Sequence, residues 1–210
     1  QSAFSNQTYH LYGLSNEEIA DATYVPVTVD ISRDCDFAGT LTGAGGWSKA
    51  GPATLTLSGT SDATGPVTVS AGTLAVAVAG TLGGNVSVAS NALLHAGTAA
   101  ACGSLVIGGD LSLAPGARLV WRYAPAASDR ITVGGKLTFP TNGVIQVSAF
   151  SAGLNPPAKA LLFASEQTII GPADLKGWTV TGVKKATLQY SPDHTKIYLS
   201  CPRGTLLIVY

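Results

Sequence analysis

The sequence predicts an all-β fold of the parallel β-helix, or β-solenoid, type. Three observations predict it. Short segments with apolar residues two positions apart recur along the middle of the chain, Gly, Asn and Pro stand between them, and amphipathic runs rich in Leu, Glu, Lys and Arg are missing. Side chains two positions apart lie on the same face of a strand, so each segment predicts a short strand with one buried face. Strands this short, with no helices between them, are typical of stacked coils.

The clearest repeat runs from Val67 to Leu74. Similar segments begin at Val86, Leu111 and Leu137, which gives steps of 19, 25 and 26 residues. A loose period of this size is typical of a solenoid, in which each coil stacks on the next. One coil of about 20 residues buries too few apolar side chains to offset the about 1–2 kcal/mol per residue lost in backbone entropy. Neighbouring coils above and below are therefore required.

The chain divides into three predicted parts. Residues 1–38 lack the repeat and are predicted to form an N-terminal cap or assembly segment, because an uncovered terminal coil exposes sheet edges. Residues 39–150 hold the solenoid coils. Residues 151–210 begin with an interruption rich in proline and are predicted to form a C-terminal β cap.

The two predicted caps have local signals of their own. Residues 15–21 show a capping-box pattern that predicts one helical turn, and residues 24–31 alternate like a strand. In the C-terminal part, residues 186–190 and 196–200 flank a five-residue loop and predict an antiparallel hairpin. Single strands are also predicted over residues 160–163 and 178–181.

Charge and hydropathy limit the classes of function. The 210 residues contain 12 basic and 12 acidic side chains, and only 11% of the residues are charged. A chain with so few charges offers no basic surface for nucleic acid, so no nucleic-acid partner is predicted. The most apolar stretch, residues 74–79, is far shorter than the about 20 residues that cross a bilayer, so no membrane span is predicted. Many Gly, Ser and Thr with little charge favour an extracellular β protein.

Three cysteines, Cys35, Cys102 and Cys201, are too few for a disulfide framework. One disulfide with a spare thiol and three free thiols are both compatible with the sequence. We favour free thiols, because an unpaired cysteine packs as a small apolar residue. Their spacing does not fit a metal site, and neither a metal nor an organic cofactor is predicted.

Carboxylates are the first candidates for catalytic groups, because β-helix enzymes that cleave polysaccharides need two or three acidic side chains converging on one face. The coil region contains only Asp62, Asp110 and Asp129. Asp110 and Asp129 could align in adjacent coils, near one of three arginines: Arg118, Arg122 and Arg130. We favour the simpler interpretation, in which these aspartates are exposed turn residues.

Other polar clusters give weaker signals. Asp30, Asp34 and Asp36 could offer oxygens to calcium, but the remaining residues of a calcium loop are missing, and a solvated turn is favoured. The three histidines lie far apart and form no metal pattern: His10, His95 and His194. No residue is therefore predicted to be catalytic, to bind a cofactor or to bind a metal.

Aromatic side chains could bind sugars. Trp121 and Tyr123 lie two positions apart and share one strand face. If that face points outward, the pair forms a glycan platform; if it points inward, the pair belongs to the core. We favour packing in the core.

Residues 39–74 resemble the autotransporter-associated β-strand repeat of bacterial surface passengers. The resemblance lies in the spacing of Lys49, Gly51, Leu55, Leu57 and Gly59, followed by Val-Ser-Ala-Gly-Thr-Leu at residues 69–74. It implies a secreted or surface-exposed β-helix of a bacterium, with no catalytic assignment.

The sequence therefore leads to a first hypothesis of a non-enzymatic structural β-solenoid that is secreted or located on the cell surface. It acts as a rigid scaffold or adhesive module. A specific form is head-to-tail assembly into a homo-oligomer or filament, with the strand at residues 24–31 or residues 206–210 as donor. The alternatives are a carbohydrate-active β-helix enzyme and a glycan-binding module. The expected partners are further copies of the chain, or a surface protein or glycan.

Overall fold

A computed structural model describes residues 27–77, 80–98, 100–149 and 154–201, together with the backbone of residues 8–10. Every regular element in these ranges is a β-strand. Among the described residues, no helix has the length and the hydropathy needed to cross a membrane.

The strands are short and follow one another closely along the chain. The first eleven are β1 (Thr8–His10), β2 (Val27–Asp30), β3 (Cys35–Phe37), β4 (Thr40–Thr42), β5 (Trp47–Ala50), β6 (Thr54–Leu57), β7 (Val67–Val69), β8 (Thr73–Val76), β9 (Thr81–Leu82), β10 (Val86–Val88) and β11 (Leu93–Ala96). The remaining eleven are β12 (Ser104–Ile107), β13 (Leu111–Leu113), β14 (Arg118–Ala124), β15 (Ala127–Ser128), β16 (Arg130–Val133), β17 (Leu137–Thr138), β18 (Gly143–Ala149), β19 (Lys159–Ser165), β20 (Trp178–Thr181), β21 (Thr187–Tyr190) and β22 (Lys196–Ser200).

Three long sheets run side by side along the stack. The first sheet has the order β17-β13-β10-β7-β5-β2, the second β20-β18-β14-β11-β8-β6-β3, and the third β21-β22-β19-β16-β12-β9. The coils that begin at β7, β10 and β13 each contribute one strand to each sheet, as β10, β11 and β12 do. Neighbours in the first two sheets pair in parallel, apart from the small strand β15 beside β14. The predicted parallel β-helix is confirmed.

The register explains the repeat in the sequence. Val67, Val86, Leu111 and Leu137 pair as direct neighbours along the first sheet, and all four are buried. The repeat starts predicted from the sequence are therefore the starts of β7, β10, β13 and β17. Apolar side chains stack in columns inside the solenoid, because a parallel in-register ladder places equivalent positions directly above one another.

The coils differ in length. From β5 onward, the first-sheet strands begin at residues 47, 67, 86, 111 and 137, so successive coils take 20, 19, 25 and 26 residues. We call residues 47–85 the short coils and residues 86–136 the long coils. The rise between coils is the strand spacing of about 4.8 Å in both cases, so the additional residues of the long coils must leave the stack at corners.

The two ends of the chain differ from the coils between them. The predicted hairpin is present, since β21 and β22 pair antiparallel, and β22 also pairs antiparallel with β19. At the other end β1 pairs in parallel with β4. The helical turn predicted over residues 15–21 and the terminal segment 206–210 lie outside the described residues.

Candidate functional site

The long coils place additional residues at the corner between the second and third sheets. Residues 97–103 connect β11 to β12, whereas residues 77–80 make the equivalent connection in the preceding short coil. In the next coil, β15 folds back on the end of β14 as a small antiparallel pair. This enlarged corner brings together polar side chains that are far apart in the sequence.

Three of these side chains form a buried polar cluster: His95 in β11, Arg122 in β14, and Asp129 just before β16. Asp129 is 1% exposed and His95 is 7% exposed. The His95 Nε2 atom lies 3.2 Å from Asp129 Oδ2 and 2.8 Å from Arg122 Nη2. The Arg122 Nε atom lies 3.9 Å from Asp129 Oδ2. Each charge of the cluster therefore has an opposite charge or a ring nitrogen beside it.

The backbone holds Asp129 in place. The Gly103 amide donates to Oδ1 at 2.8 Å, and the Arg122 amide donates to Oδ2 at 2.8 Å. The Trp121 indole N–H donates to the Asp129 carbonyl at 2.5 Å. A buried carboxylate is tolerated when its oxygens accept several hydrogen bonds, so these donors offset much of the cost of burial. These contacts fix the orientation of the carboxylate.

Burial and charge act in opposite directions on Arg122. Burial lowers the pKa of the guanidinium, and the neighbouring Asp129 carboxylate raises it. An arginine remains charged in either case. Its N–H groups therefore make Nε2 of His95 an acceptor, which leaves the ring proton on Nδ1 when the imidazole is neutral.

Cys102 lies beside the cluster, and its Sγ atom is 3.6 Å from the Arg122 carbonyl oxygen. Burial raises the pKa of this thiol, and the Asp129 carboxylate adds to the increase. A thiol with a raised pKa holds its proton and is a poor nucleophile. The three described cysteines are all free, as favoured from the sequence, but only Cys201 is buried, and Cys35 and Cys102 are half-buried.

The structure does not bring Asp110 and Asp129 together. Asp110 is exposed at the corner before β13, where its Oδ1 accepts from the Lys136 amide at 2.7 Å. Asp129 is buried at a different corner, and the expectation that it is an exposed turn residue is wrong. The sequence pattern gave no indication of burial, because the groups that satisfy Asp129 come from residues 103 and 122.

The acidic segment near the first coil also has a structural role. Asp34 Oδ1 accepts from the Thr54 amide at 2.7 Å, and Asp36 Oδ1 accepts from the Ser58 hydroxyl at 2.6 Å. Each bond joins one coil to the next. Within the described part of the chain, no group of three or more His, Cys, Asp or Glu side chains could hold a metal ion.

The aromatic pair belongs to the core. Trp121 is 3% exposed and Tyr123 is 2% exposed, with ring centroids 5.6 Å apart in a stacked arrangement. The packing interpretation is confirmed, and a glycan platform on these two rings is ruled out. His194 lies in the loop between β21 and β22 and stacks on Tyr190. The side chain of His10 lies outside the described residues.

Lys49 is a buried residue whose importance sequence reasoning missed. It is fully buried, at a position that pairs with Val29 on one side and Val69 on the other. Its Nζ atom donates to the Gly51 carbonyl at 2.6 Å and to the Ala71 carbonyl at 3.0 Å. Burial lowers the pKa of Lys49, while Asp30 and Asp34 raise it. The sequence does contain a sign of this burial. Lys49 lies two positions after Trp47, so the two side chains share the buried face of the strand.

The short coils also carry the family signal. Residues 48–76, from β5 to the end of β8, match the family model of the passenger-associated-transport-repeat. This match confirms the suspected autotransporter-associated resemblance and supports a passenger-like β-helical surface protein. Lys49 and its two carbonyl partners all lie inside the matched repeat. No curated protein sequence matches the chain closely enough to count as a relative.

Proposed function

We propose that the chain is a secreted or cell-surface structural β-solenoid of a bacterium, acting as a rigid scaffold or adhesive module and not as an enzyme. The observation that carries the proposal is the continuous parallel pairing of six strands in the first sheet, from β2 to β17. A stack in which each coil pairs with both neighbours resists bending, because bending would break ladders on several faces at once. The transport repeat in the short coils supports a surface location.

In this proposal the three parts of the chain have different roles. Residues 39–150 act as the shaft, residues 1–38 as an N-terminal cap or assembly segment, and residues 151–210 as a C-terminal cap. Strands β2 and β3 extend the first and second sheets into the N-terminal part, and β20 extends the second sheet into the C-terminal part. The ends are thereby continuous with the shaft, as a load-bearing scaffold requires.

Self-assembly would use the open edge of the first sheet. Within the described residues, β5 is the only strand that pairs with β2. The Val27 amide donates to the Gly46 carbonyl just before β5, and the Ile31 amide donates to the Ala50 carbonyl in β5, each at 3.3 Å. Alternate residues of a strand present their backbone groups to opposite edges, so Thr28 and Asp30 face the open edge. A strand from a second copy, with residues 206–210 as candidate donor, would add there and extend the stack into a filament.

The surface location can be tested on source cells with an antibody raised against the folded chain. The proposal expects immunogold label on intact, unpermeabilised cells or in the culture medium. Label that appears only after permeabilisation would contradict it. An antibody against a cytoplasmic protein of the same cells is the control for membrane integrity.

Filament formation can be tested separately by electron microscopy of the purified chain. Thr28→Pro removes one amide from the open edge without removing a bond to β5. Thr28→Val keeps that amide and is the matched control. We expect filaments from the unmodified chain and from Thr28→Val, and monomers or short oligomers from Thr28→Pro. Monomers in all three samples would overturn the head-to-tail form of the proposal while leaving the scaffold role in place.

A further inference from the structure

The outer face of the second sheet contains an open groove with a volume of about 600 Å³. Its centre is one in-register column of side chains from neighbouring strands: Asp36, Thr56, Ala75, His95, Val120 and Gln146. Five strand steps separate the two ends of this column, which corresponds to about 24 Å. The groove therefore has the length for a short linear polymer lying along the solenoid axis.

His95 supplies a polar atom without a partner in this groove. Its Nε2 atom accepts from Arg122 and lies 3.2 Å from Asp129 Oδ2, whereas no hydrogen bond joins its Nδ1 atom to any described residue. The side chain is buried and still lines the groove. The ring is held on its Nε2 side, so its Nδ1 edge offers the groove one hydrogen-bonding group in a fixed orientation.

The rest of the lining alternates polar groups with small apolar surfaces. Thr56, Gln146 and Ser148 each carry both donor and acceptor capacity, and Ala75 and Val120 offer flat apolar patches between them. A sugar chain has the complementary surface, with hydroxyl groups that donate and accept around its rings and C–H groups on the ring faces. The hydroxyl groups of Thr56 and Ser148 and the amide of Gln146 suit such a ligand better than they suit an apolar one.

Charge decides which sugar chains fit. Asp34 and Asp36 are exposed at one end of the groove. The positive charge of Arg122 at the other end is offset by Asp129. The groove is therefore weakly acidic and repels uronic acids and sulfated sugars. An uncharged chain meets no such penalty, and the two carboxylates can accept its hydroxyl hydrogens.

We propose that this groove binds a neutral oligosaccharide along the axis of the solenoid, with the His95–Arg122–Asp129 cluster fixing the middle of the ligand. His95 Nδ1 donates to a sugar hydroxyl, and Thr56 and Gln146 contact further units of the chain. This site is separate from Trp121 and Tyr123, whose rings are inside the core. Oligosaccharide binding would be a role additional to that of a scaffold, and neither role depends on the other.

The test uses the purified full chain and uncharged hexasaccharides of glucose, mannose, galactose and N-acetylglucosamine, with hexauronates as anionic probes. Binding is followed by calorimetry and by the NMR resonances of the His95 ring. We expect at least one neutral hexasaccharide to bind and to shift those resonances. Binding of no neutral probe, or of the hexauronates alone, would overturn the proposal.

Substitutions at two partly or fully exposed positions locate the site. We expect Thr56→Val and Gln146→Ala each to weaken binding about tenfold, because each removes hydrogen bonds to the ligand. The matched controls are Thr68→Val on the first sheet and Gln189→Ala on β21, which are exposed outside the groove. Circular dichroism checks that all four variants keep the β fold. Equal weakening by the controls, or none by the groove variants, would also overturn the proposal.

Discussion

The short and long coils stack in the same sheets but satisfy their buried corners with opposite charges. In the short coils the Lys49 ammonium donates to the Gly51 and Ala71 carbonyls. In the long coils the Asp129 carboxylate accepts from the Gly103 and Arg122 amides. Backbone groups at a buried corner must be paired. The kind of backbone group left unpaired at a corner, carbonyl or amide, therefore decides which charged side chain is tolerated inside the solenoid.

The largest effect is expected at the long-coil corner. Asp129→Ala removes the acceptor of two buried amides and the carboxylate charge beside Arg122. We expect a loss of about 3–5 kcal/mol in the free energy of unfolding, measured by urea denaturation. Asp110→Ala is the control, because this exposed aspartate accepts from the Lys136 amide at a solvated corner. For this variant we expect a loss of about 1 kcal/mol in the free energy of unfolding. Equal losses in the two variants would show that the buried Asp129 stabilises its corner no more than the exposed Asp110 does.

A smaller effect is expected at Lys49. Lys49→Ala leaves two carbonyls unpaired and opens a cavity, so we expect a loss of about 2–4 kcal/mol in the free energy of unfolding. Lys49→Met also leaves the carbonyls unpaired, but it fills the column and removes the cost of burying an ammonium. A loss of less than about 2 kcal/mol is therefore expected for Lys49→Met. A more stable Lys49→Ala than Lys49→Met would show that the lysine is not packed as described.

The pH dependence of stability gives a second test of the burial of Lys49. Burial lowers the pKa of Lys49 from 10.5 in the folded state, so the unfolded chain binds more protons between the lowered pKa and 10.5. Stability from this group therefore rises with pH through that window. We expect the stability of the unmodified chain relative to Lys49→Met to increase as pH rises toward 10.5. A difference that stays constant or decreases would contradict the lowered pKa.

The smallest effect is expected on the outer face of the short coils. Thr68 is exposed at the centre of β7, with a buried valine on either side. Thr68→Val keeps the β-branched shape and changes only a solvated hydroxyl. We expect the free energy of unfolding to change by less than about 0.5 kcal/mol. A loss comparable to that of Lys49→Met would mean that outward hydroxyls, and not only the corners, hold the coils together.

Much of the fold could be predicted from the sequence because the repeat is local. Val67 and Val69 lie within three residues of each other, and their alternation survives in every later copy. The C-terminal hairpin was predicted from local alternation as well. The same alternation also places Lys49 on the buried face of its strand. It does not predict the two carbonyl groups that accept from Lys49.

The polar cluster could not be predicted, for a physical reason. His95 and Arg122 come from neighbouring strands of the second sheet, and Asp129 lies at the corner before the third. Their contact depends on the parallel register and on how the additional residues of the long coils fold at one corner. Neither quantity is encoded in a short spacing. The groove was missed for the same reason, since its column joins residues from six strands.

The parallel register is the central claim, and paired cysteines test it most directly. Thr68 and Ser87 are in-register neighbours on β7 and β10, whereas Thr68 and Ser112 are two coils apart, about 10 Å. A disulfide requires Cα atoms within about 7 Å. Under mild oxidation, mapped by peptide mass spectrometry, Thr68→Cys with Ser87→Cys should form a disulfide, and Thr68→Cys with Ser112→Cys should not. The reverse result, or equal yields from both pairs, would contradict the stacked solenoid.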